Sequence, residues 1–581
     1  LTRIPAVAAA LAAAAIGTLV AAPASATAHA GGPPACAAEP HALVAAADPL
    51  AVEAGLAMLR RGGSAVDAAI AAKLALTLVE APETGIGGGG FLLHRSAADG
   101  ALVVHDGREV APEAATPERF LLPLSRPMPF AAAVVSGRAV GVPGMVAMMH
   151  DAHGLHGRLP WTDLFDPAIT MAESGVPMPA RLRDQITGDR SLSLFRGTRQ
   201  GLRRQSGEEL LVNPDLADTL RRIADGGPDA FYRGEIARSI VAAVTGRRPW
   251  PGDMTAEDLA DYEARRREPV CGAYRGWTVC GAPPPSSGGI AVLQILGMLE
   301  HHDLAALGPG SVEAVHLIAE ASRLAFADRE LHVADPAFVP VPVAALIDPA
   351  YLAARAALID PLRAMATAPP GDPPAGRPAH GVAVPVDPVE EERLSDDNGT
   401  SHLVAIDREG NVASFTGSIE APFGSRLMVR GFLLNNQLTD FAFVPTASGL
   451  PRVNAVAPGK RPRSSMAPTI VFDPEGRVRL AVGGRGGSRI IGHVVKTIVG
   501  VLDWNLDVQQ AVALPNLLHR GRTLELEEGT ALDSLAPALR AMGHRVEVLP
   551  LTSGLHALER VDGRLRGAAD PRMGGLACGI E

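Results

Sequence analysis

The stretch SHLVAIDREGNVASFTGS, residues 401 to 418, has little choice but to fold as a tight antiparallel hairpin. Ser401 to Ile406 and Val412 to Ser418 read as strands, and Arg408-Glu409-Gly410 between them is a turn signal. If Ile406 pairs with Val412, then His402 faces Thr416 and Thr400 faces Ser418, all on one face by the two-residue period. A hydroxyl at the head of one strand thus lies beside a hydroxyl on its neighbour. Taken alone, this is an ordinary cross-strand pair. What precedes it is of another kind: ATAPPGDPPAGRPAHGVAVPVDPVEEERLSDDN is rich in proline and charge, lacks apolar periodicity, and reads as an exposed linker. A loose segment therefore meets a rigid one at Gly399–Thr400.

From about Ala42 to Leu358, helical patches alternate with short strands. DPLAVEAGLAMLRRGGSAVDAAIAAKLALTLVE reads as two helices separated by Arg-Gly-Gly, GALVVHDGREV as a strand and turn, and SVEAVHLIAEASRLAFADRELHV as an amphipathic helix. Beyond the hairpin, strands are expected at GFLLNN, PTIVFD and VRLAVGG, and a helix at IGHVVKTIVGVLDW. This mixture suits sheets layered under helices, an α/β class, and 581 residues are enough for one large core or two fused ones.

The net charge of −10 disfavours a nucleic-acid partner, which needs clustered Lys and Arg. The four cysteines lie far apart and no His pair has ligand spacing, so no metal or other cofactor is expected. Residues 1–30 combine one Arg, an apolar run and small-x-small sites, the pattern of a secretory signal peptide, with a membrane anchor as the alternative. No later segment is long and apolar enough to span a bilayer, so an exported (secreted or periplasmic) protein without a membrane span in its mature form is expected. Export permits disulfides. In CGAYRGWTVC, a two-residue turn at Arg275-Gly276 sets Cys271 opposite Cys280 at a non-hydrogen-bonded site, with Cα atoms about 4.5 Å apart. Either a disulfide or two free thiols fits, and the pairing of Cys36 and Cys578 stays open.

Three further stretches change the reading of the Thr–Ser pair. RPRSSMAPT places Ser464 and Ser465 before a strand, VGGRGGSRI places Gly486 and Gly487 where a strand meets a helix, and LLNNQLTDF supplies Gln437 and Asp440. With ETGIGGGGFLLHR, DGREVAPEAAT and PPPSSGGI, in this order, the chain from about Val44 onward resembles the γ-glutamyltranspeptidase family of N-terminal-nucleophile hydrolases. The resemblance implies a four-layer αββα sandwich built jointly by two fragments of one precursor. These would be a large-subunit body at 31–359, a linker at 360–399 ending at the cleavage site Gly399–Thr400, and a small subunit at 400–581.

It also implies roles. Thr400 would be the nucleophile, with its freed α-amine, of reference pKa near 8, as base. The N–H groups of Gly486 and Gly487 would hold the oxyanion. Arg108 would grip the α-carboxylate of a γ-glutamyl donor, helped by Ser464 and Ser465. Asp440 and Gln437 would hold its α-ammonium, and Ser418 would stand beside the nucleophile. His402 would be structural. The partners implied are a γ-glutamyl donor, such as glutathione, and an amine or water acceptor. Three positions depart from the family pattern. Glu420 stands where many members have Asn; it could hold an ammonium but would repel a carboxylate. AFVPTASGLPRV lacks the Tyr of the usual lid, which opens the pocket to water or bulky acceptors, and Arg485 replaces a commoner Pro. A related acylase or amidohydrolase, on a β-lactam side chain or a poly-γ-glutamate, is the alternative; an idle scaffold is the reading without catalysis.

Overall fold

Two antiparallel sheets and a layer of helices on each position the site. The structure, a computed structural model, describes residues 36–205, 210–374 and 399–581. The expected signal peptide and the linker from 375 to 398 lie outside the described residues.

The first sheet runs Leu576–Ile580, Ala42–Ala46, Gly399–Ile406, Val412–Glu420, Gly89–Arg95, Leu102–Asp106 and Arg265–Arg267. The hairpin is its centre, with the expected register: Ile406 opposite Val412, His402 opposite Thr416, Thr400 opposite Ser418. Period two then divides the strands. Val404, Ile406 and Val412 enter a core shared with the second sheet, while Leu403, Ala405, Ala413 and Phe415 enter a core on the other face. Thr400, His402, Thr416 and Ser418 therefore point between the sheets. The second sheet runs Arg564–Ala569, His556–Val561, Val478–Gly483, Thr469–Phe472, Trp277–Gly281 and Val270–Tyr274. PTIVFD and VRLAVGG are its central strands, whereas GFLLNN yields only the two-residue strand Phe432–Leu433, paired in a separate ribbon with Met428–Val429.

Helices Pro49–Arg60 and Ala65–Val79 cover the first sheet. Asp48 caps the first, with Pro49 in its first turn. Ser64 and Asp67 form a reciprocal capping box on the second, at 2.8 and 3.1 Å. Every residue of Ala65–Val79 is buried, and its small alanines let it lie close to the sheet. Under the second sheet lie Gly288–Leu299, Val312–His332 and Ile490–Leu502. The layers are α, β, β, α.

Helix Val312–His332 departs from the amphipathic reading, being buried on nearly every side. Its polar residues are paired internally instead: Arg323 with Glu320 at 2.8 Å, Asp328 with Arg355 at 3.0 Å. Part of the covering comes from the first residues of the expected linker. Met365 N–H donates to Glu320 at 2.7 Å and Gly371 N–H to Asp328 at 2.7 Å, so residues 360–374 are anchored on the body at these points rather than hanging free.

Both disulfides form. Cys271–Cys280 spans 4.1 Å between Cα atoms, close to the sequence expectation, and Cys36 pairs with Cys578. No helix among the described residues is long and apolar enough to cross a membrane.

His402 sets the gap between the sheets. Its Nδ1 meets Thr416 Oγ1 at 2.8 Å, and its ring lies against Gly483 of the second sheet, where an added Cβ would overlap it. Burial holds this imidazole far below its ordinary pKa, so it is neutral. Gly483→Ala is expected to lower stability by about 1–3 kcal/mol through overpacking. A denaturant midpoint that does not move, at unchanged m-value, would show that the sheets part there without cost.

Candidate active site

Thr400 opens its strand at an irregular step. Gly399 faces Glu420 and Thr400 faces Ser418, so Ile419 is an extra residue and the register shifts at the Gly399–Thr400 bond. Such a bulge bends the ladder and re-aims side chains. Glu420, just past it, has φ +78°, a region costly for a residue with a bulky side chain.

The hydroxyls form a chain. Thr400 Oγ1 donates to Ser418 Oγ at 3.1 Å, and Ser418 Oγ donates to the Gly399 carbonyl at 2.6 Å. The Glu420 N–H donates to Ser418 Oγ at 2.8 Å and fixes its orientation. The carbonyl before Thr400 is thus polarised by the same group that accepts the Thr400 hydroxyl hydrogen bond. All these groups are buried, but they open on a cavity of about 1180 Å³.

Of the residues expected at the site, Thr400, Ser418, Glu420, Gln437, Asp440, Ser464, Ser465 and Gly487 line this cavity. Arg108 and Gly486 are not part of its wall. Arg108 is fully buried behind Asp440: its Nη2 donates to Asp440 and, at 3.0 Å, to the Arg463 carbonyl, and its Nε donates to the Pro462 carbonyl at 3.1 Å. Nη1 lies 3.5 Å from Glu109 and closes no hydrogen bond. Asp440 thus stands between Arg108 and the cavity. Glu109 has no hydrogen bond to either oxygen, and burial pushes its carboxyl up to about 8 despite Arg108.

Gln437 Nε2 donates to Asp440 at 3.2 Å, while Gln437 Oε1 is buried without a partner. Asn436 Nδ2 donates to Glu420, and Thr439 Oγ1 lies 3.4 Å from the same carboxylate. Burial, and then the neighbouring Asp440 charge, push Glu420 up to about 8, while Asn436 and Arg108 act in the opposite sense. Ser465 Oγ accepts from Arg329 at 2.8 Å, and Ser464 Oγ accepts from the Met466 N–H at 3.1 Å. Gly486 and Gly487 have φ of +116° and +56°, which only glycine adopts readily, and lead into helix Ile490–Leu502.

Asn436, Thr439 and Arg329 were not singled out from the sequence. The first two sit inside LLNNQLTDF, where the adjacent polar residues were the available signal. Arg329 gave only a weak one, a cation among the other charged residues of SVEAVHLIAEASRLAFADRELHV.

The model for the family described as Gamma-glutamyltranspeptidase matches residues 51–580. The glutathione hydrolase proenzyme of Bacillus subtilis (strain 168) is 36% identical, covering 93% of this chain and 91% of its own. The Acylase ACY 1 proenzyme of Pseudomonas sp. (strain SE83) is 37% identical, covering 92% of each chain. Among solved structures, the cephalosporin acylase from Bacillus halodurans superposes with a TM-score of 0.80 at 26% identity, covering 95% of this chain and 98% of its own. An α/β sandwich, a central hairpin opening on the cavity and a family match over nearly the whole chain agree: the chain belongs to the γ-glutamyltranspeptidase family of γ-glutamyl hydrolase/transferase and acylase proenzymes.

Proposed function

We propose that this chain cleaves itself at Gly399–Thr400 and then uses Thr400 to transfer γ-glutamyl groups from glutathione and related amides to water or an amine. The observation that carries the reading is the Thr400–Ser418–Gly399 hydrogen-bond chain opening on a cavity walled by Glu420 and Asp440. Thr400 Oγ1 attacks the Gly399 carbonyl, whose oxygen Ser418 polarises. The acyl group moves from nitrogen to oxygen, and water hydrolyses the resulting ester. This frees the Gly399 carboxylate and a Thr400 α-amine.

In turnover, the α-amine takes the Oγ1 proton as Oγ1 adds to the γ-carbonyl of the donor. The oxyanion is held by the N–H groups of Gly486 and Gly487. The amine returns the proton to the leaving nitrogen, and the γ-glutamyl ester passes to water or to an acceptor amine. The donor α-ammonium is held by Asp440, Gln437 and ionised Glu420, and its α-carboxylate by Arg108, Ser464 and Ser465. A zwitterion suits the Arg108–Asp440 pair, because its ammonium can replace Arg108 at Asp440 and release Nη2 for the carboxylate. The protein is read as exported, with residues 1–30 as its signal.

The acylase reading keeps this chemistry and changes the donor; the acylase relatives favour it. Two acids beside the nucleophile argue against it, since a glutaryl group has no ammonium for them to hold. Faster p-nitroaniline release from a γ-glutamyl than from a glutaryl anilide, with and without Gly-Gly, is expected; the reverse preference would replace the donor assignment.

Cys36 and Cys578 fall on opposite sides of the proposed cut. The mature protein is expected to run as one species on a non-reducing denaturing gel and as two after reduction, the smaller beginning at Thr400. Thr400→Ala should stay as one chain in both gels and be inactive. A small fragment starting elsewhere would remove Thr400 as nucleophile.

Arg108→Lys keeps the charge but loses the planar fork, so kcat/KM for a γ-glutamyl donor should fall by about 2 kcal/mol. Donors lacking the α-carboxylate should lose much less; equal losses would make Arg108 purely structural.

The Glu420 carboxyl, pushed up to about 8, is largely protonated at neutral pH and becomes an anion above that value. An anion holds the donor ammonium better. KM for the donor should therefore fall as pH rises through about 8, and Glu420→Gln should abolish that trend; its persistence would assign it to another group.

A further inference from the structure

Glu83 is buried in the turn after helix Ala65–Val79, and the backbone of this turn packs on Gly399 and Ile419. The turn is braced there: the Ile419 N–H donates to the Glu83 carbonyl at 3.3 Å, the Phe423 N–H to the Pro82 carbonyl at 2.8 Å, and a Cβ at Gly399 would come within 2.9 Å of the Pro82 carbonyl. Burial raises the Glu83 carboxyl above its ordinary pKa, while the backbone N–H of Thr400, which faces the carboxylate, acts in the opposite sense. Glu83 Oε1 accepts from Arg181 at 2.6 Å, Gln185 at 2.6 Å and Arg485 at 3.0 Å. Oε2 is buried and closes no hydrogen bond, so the carboxylate has acceptor capacity left.

The atom facing this carboxylate is the nitrogen that cleavage would turn into an α-amine. We propose that Glu83 is a positioning residue for Thr400: it orients the freed α-amine and stabilises the ammonium formed when that amine takes the Oγ1 proton. This rests on the Thr400 reading above. Bond by bond, the Oγ1–H bond breaks, an N–H bond forms on the α-amine and Oγ1 bonds to the acyl carbon; the acyl carbon–nitrogen bond then breaks as the ammonium gives that proton to the departing nitrogen. Glu83 exchanges no proton; it supplies a fixed negative charge where positive charge develops. Burial raises the Glu83 carboxyl above its ordinary pKa, and Arg181 acts in the opposite sense; with Arg485 at 3.0 Å, the two arginines favour the anion. They also prevent an over-strong pairing that would leave the amine permanently protonated.

Other charged groups bear on the same nitrogen. Glu80 lies in the same turn and meets Arg181 at 3.6 Å. From helix Ala65–Val79, Lys73 reaches Thr84 at 3.1 Å and the Ser401 carbonyl at 3.5 Å. Glu420 lies opposite Gly399, and Asp48 bears on Glu80. Because Glu420 also titrates, the readout is kcat at saturating donor, with the donor ammonium already in place.

The test uses mature enzyme and γ-glutamyl p-nitroanilide across pH. A neutral α-amine is the active base, so kcat rises as pH passes its pKa, and a nearby anion moves that limb up. Glu83→Gln should move the acid limb down by about one pH unit. It should also lower kcat by about tenfold, leave KM within about twofold, and retain a small fragment beginning at Thr400. Arg181→Gln, which removes a cation and leaves Glu83 in place, should move the limb up. Opposite shifts are not expected of residues that merely support the fold. An unmoved limb in Glu83→Gln, or shifts of the same sign in both variants, overturns the proposal. If Glu83→Gln does not mature, Arg181→Gln decides alone: an upward shift supports it and an unmoved limb overturns it. Failure of the Thr400 reading is separate, appearing as a small fragment that starts elsewhere or as an active Thr400→Ala.

Discussion

The pairing of Gly399–Ile406 with Val412–Glu420 at the centre of the first sheet is the constraint on which the site depends. Neighbouring strands lie on both sides of this hairpin, so its register cannot slip without moving both cores at once. That fixed register sets Thr400 beside Ser418, and the bulge at the end aims both at the cavity. His402 and Gly483 then set how closely the second sheet, which leads to Gly486 and Gly487, approaches the first.

This part of the design was legible in the sequence because it is local. Period two gave the facing residues of the hairpin, and the turn at Arg275-Gly276 gave Cys271 opposite Cys280. The break between the first two helices followed from Arg61-Gly62-Gly63. The hidden parts depend on contacts between distant segments. Nothing local distinguishes a surface helix with several charges from Val312–His332, whose charges are satisfied by Arg355 and by the backbone of residues 365 and 371. Arg108 could be matched to a family position, but its occlusion by Asp440 comes from the path of Gln437–Asp440 against Pro462 and Arg463. Glu83 and Arg485 were both within quoted stretches, yet their ion pair joins residues 402 positions apart.

The ionisable groups around the cavity show why so many charges are buried together. A buried ion pair contributes little net stability, because desolvation offsets most of the attraction. What it does supply is position. Arg463 with Glu330 and Arg329 with Ser465 fix the wall carrying the two serines. Where a carboxyl has a cation nearby but no hydrogen bond, as Glu109 does beside Arg108, burial shifts it toward its neutral form. Glu420 is intermediate, hydrogen-bonded by Asn436 yet crowded by Asp440, and so lies near the point where modest changes in its surroundings change its charge.

On the proposed reading, one constellation serves two reactions in succession, and Ser418 shows how. Before cleavage its hydroxyl accepts from Thr400 and donates to the Gly399 carbonyl, so the acyl group held beside Thr400 is the chain's own. Cleavage removes that carbonyl from covalent attachment to Thr400 and gives the same nitrogen a lone pair. The acceptor that Ser418 had on the backbone can then leave with the free end. The site next to Oγ1 becomes available to the carbonyl of a donor, in the cavity that Thr400 and Ser418 already line. The first reaction needs an amide held against its own nucleophile, and the second needs that amide gone. A bulge that shifts the register at the Gly399–Thr400 step while leaving Thr400 in register with Ser418 satisfies both conditions, because only the residue before the nucleophile has to move.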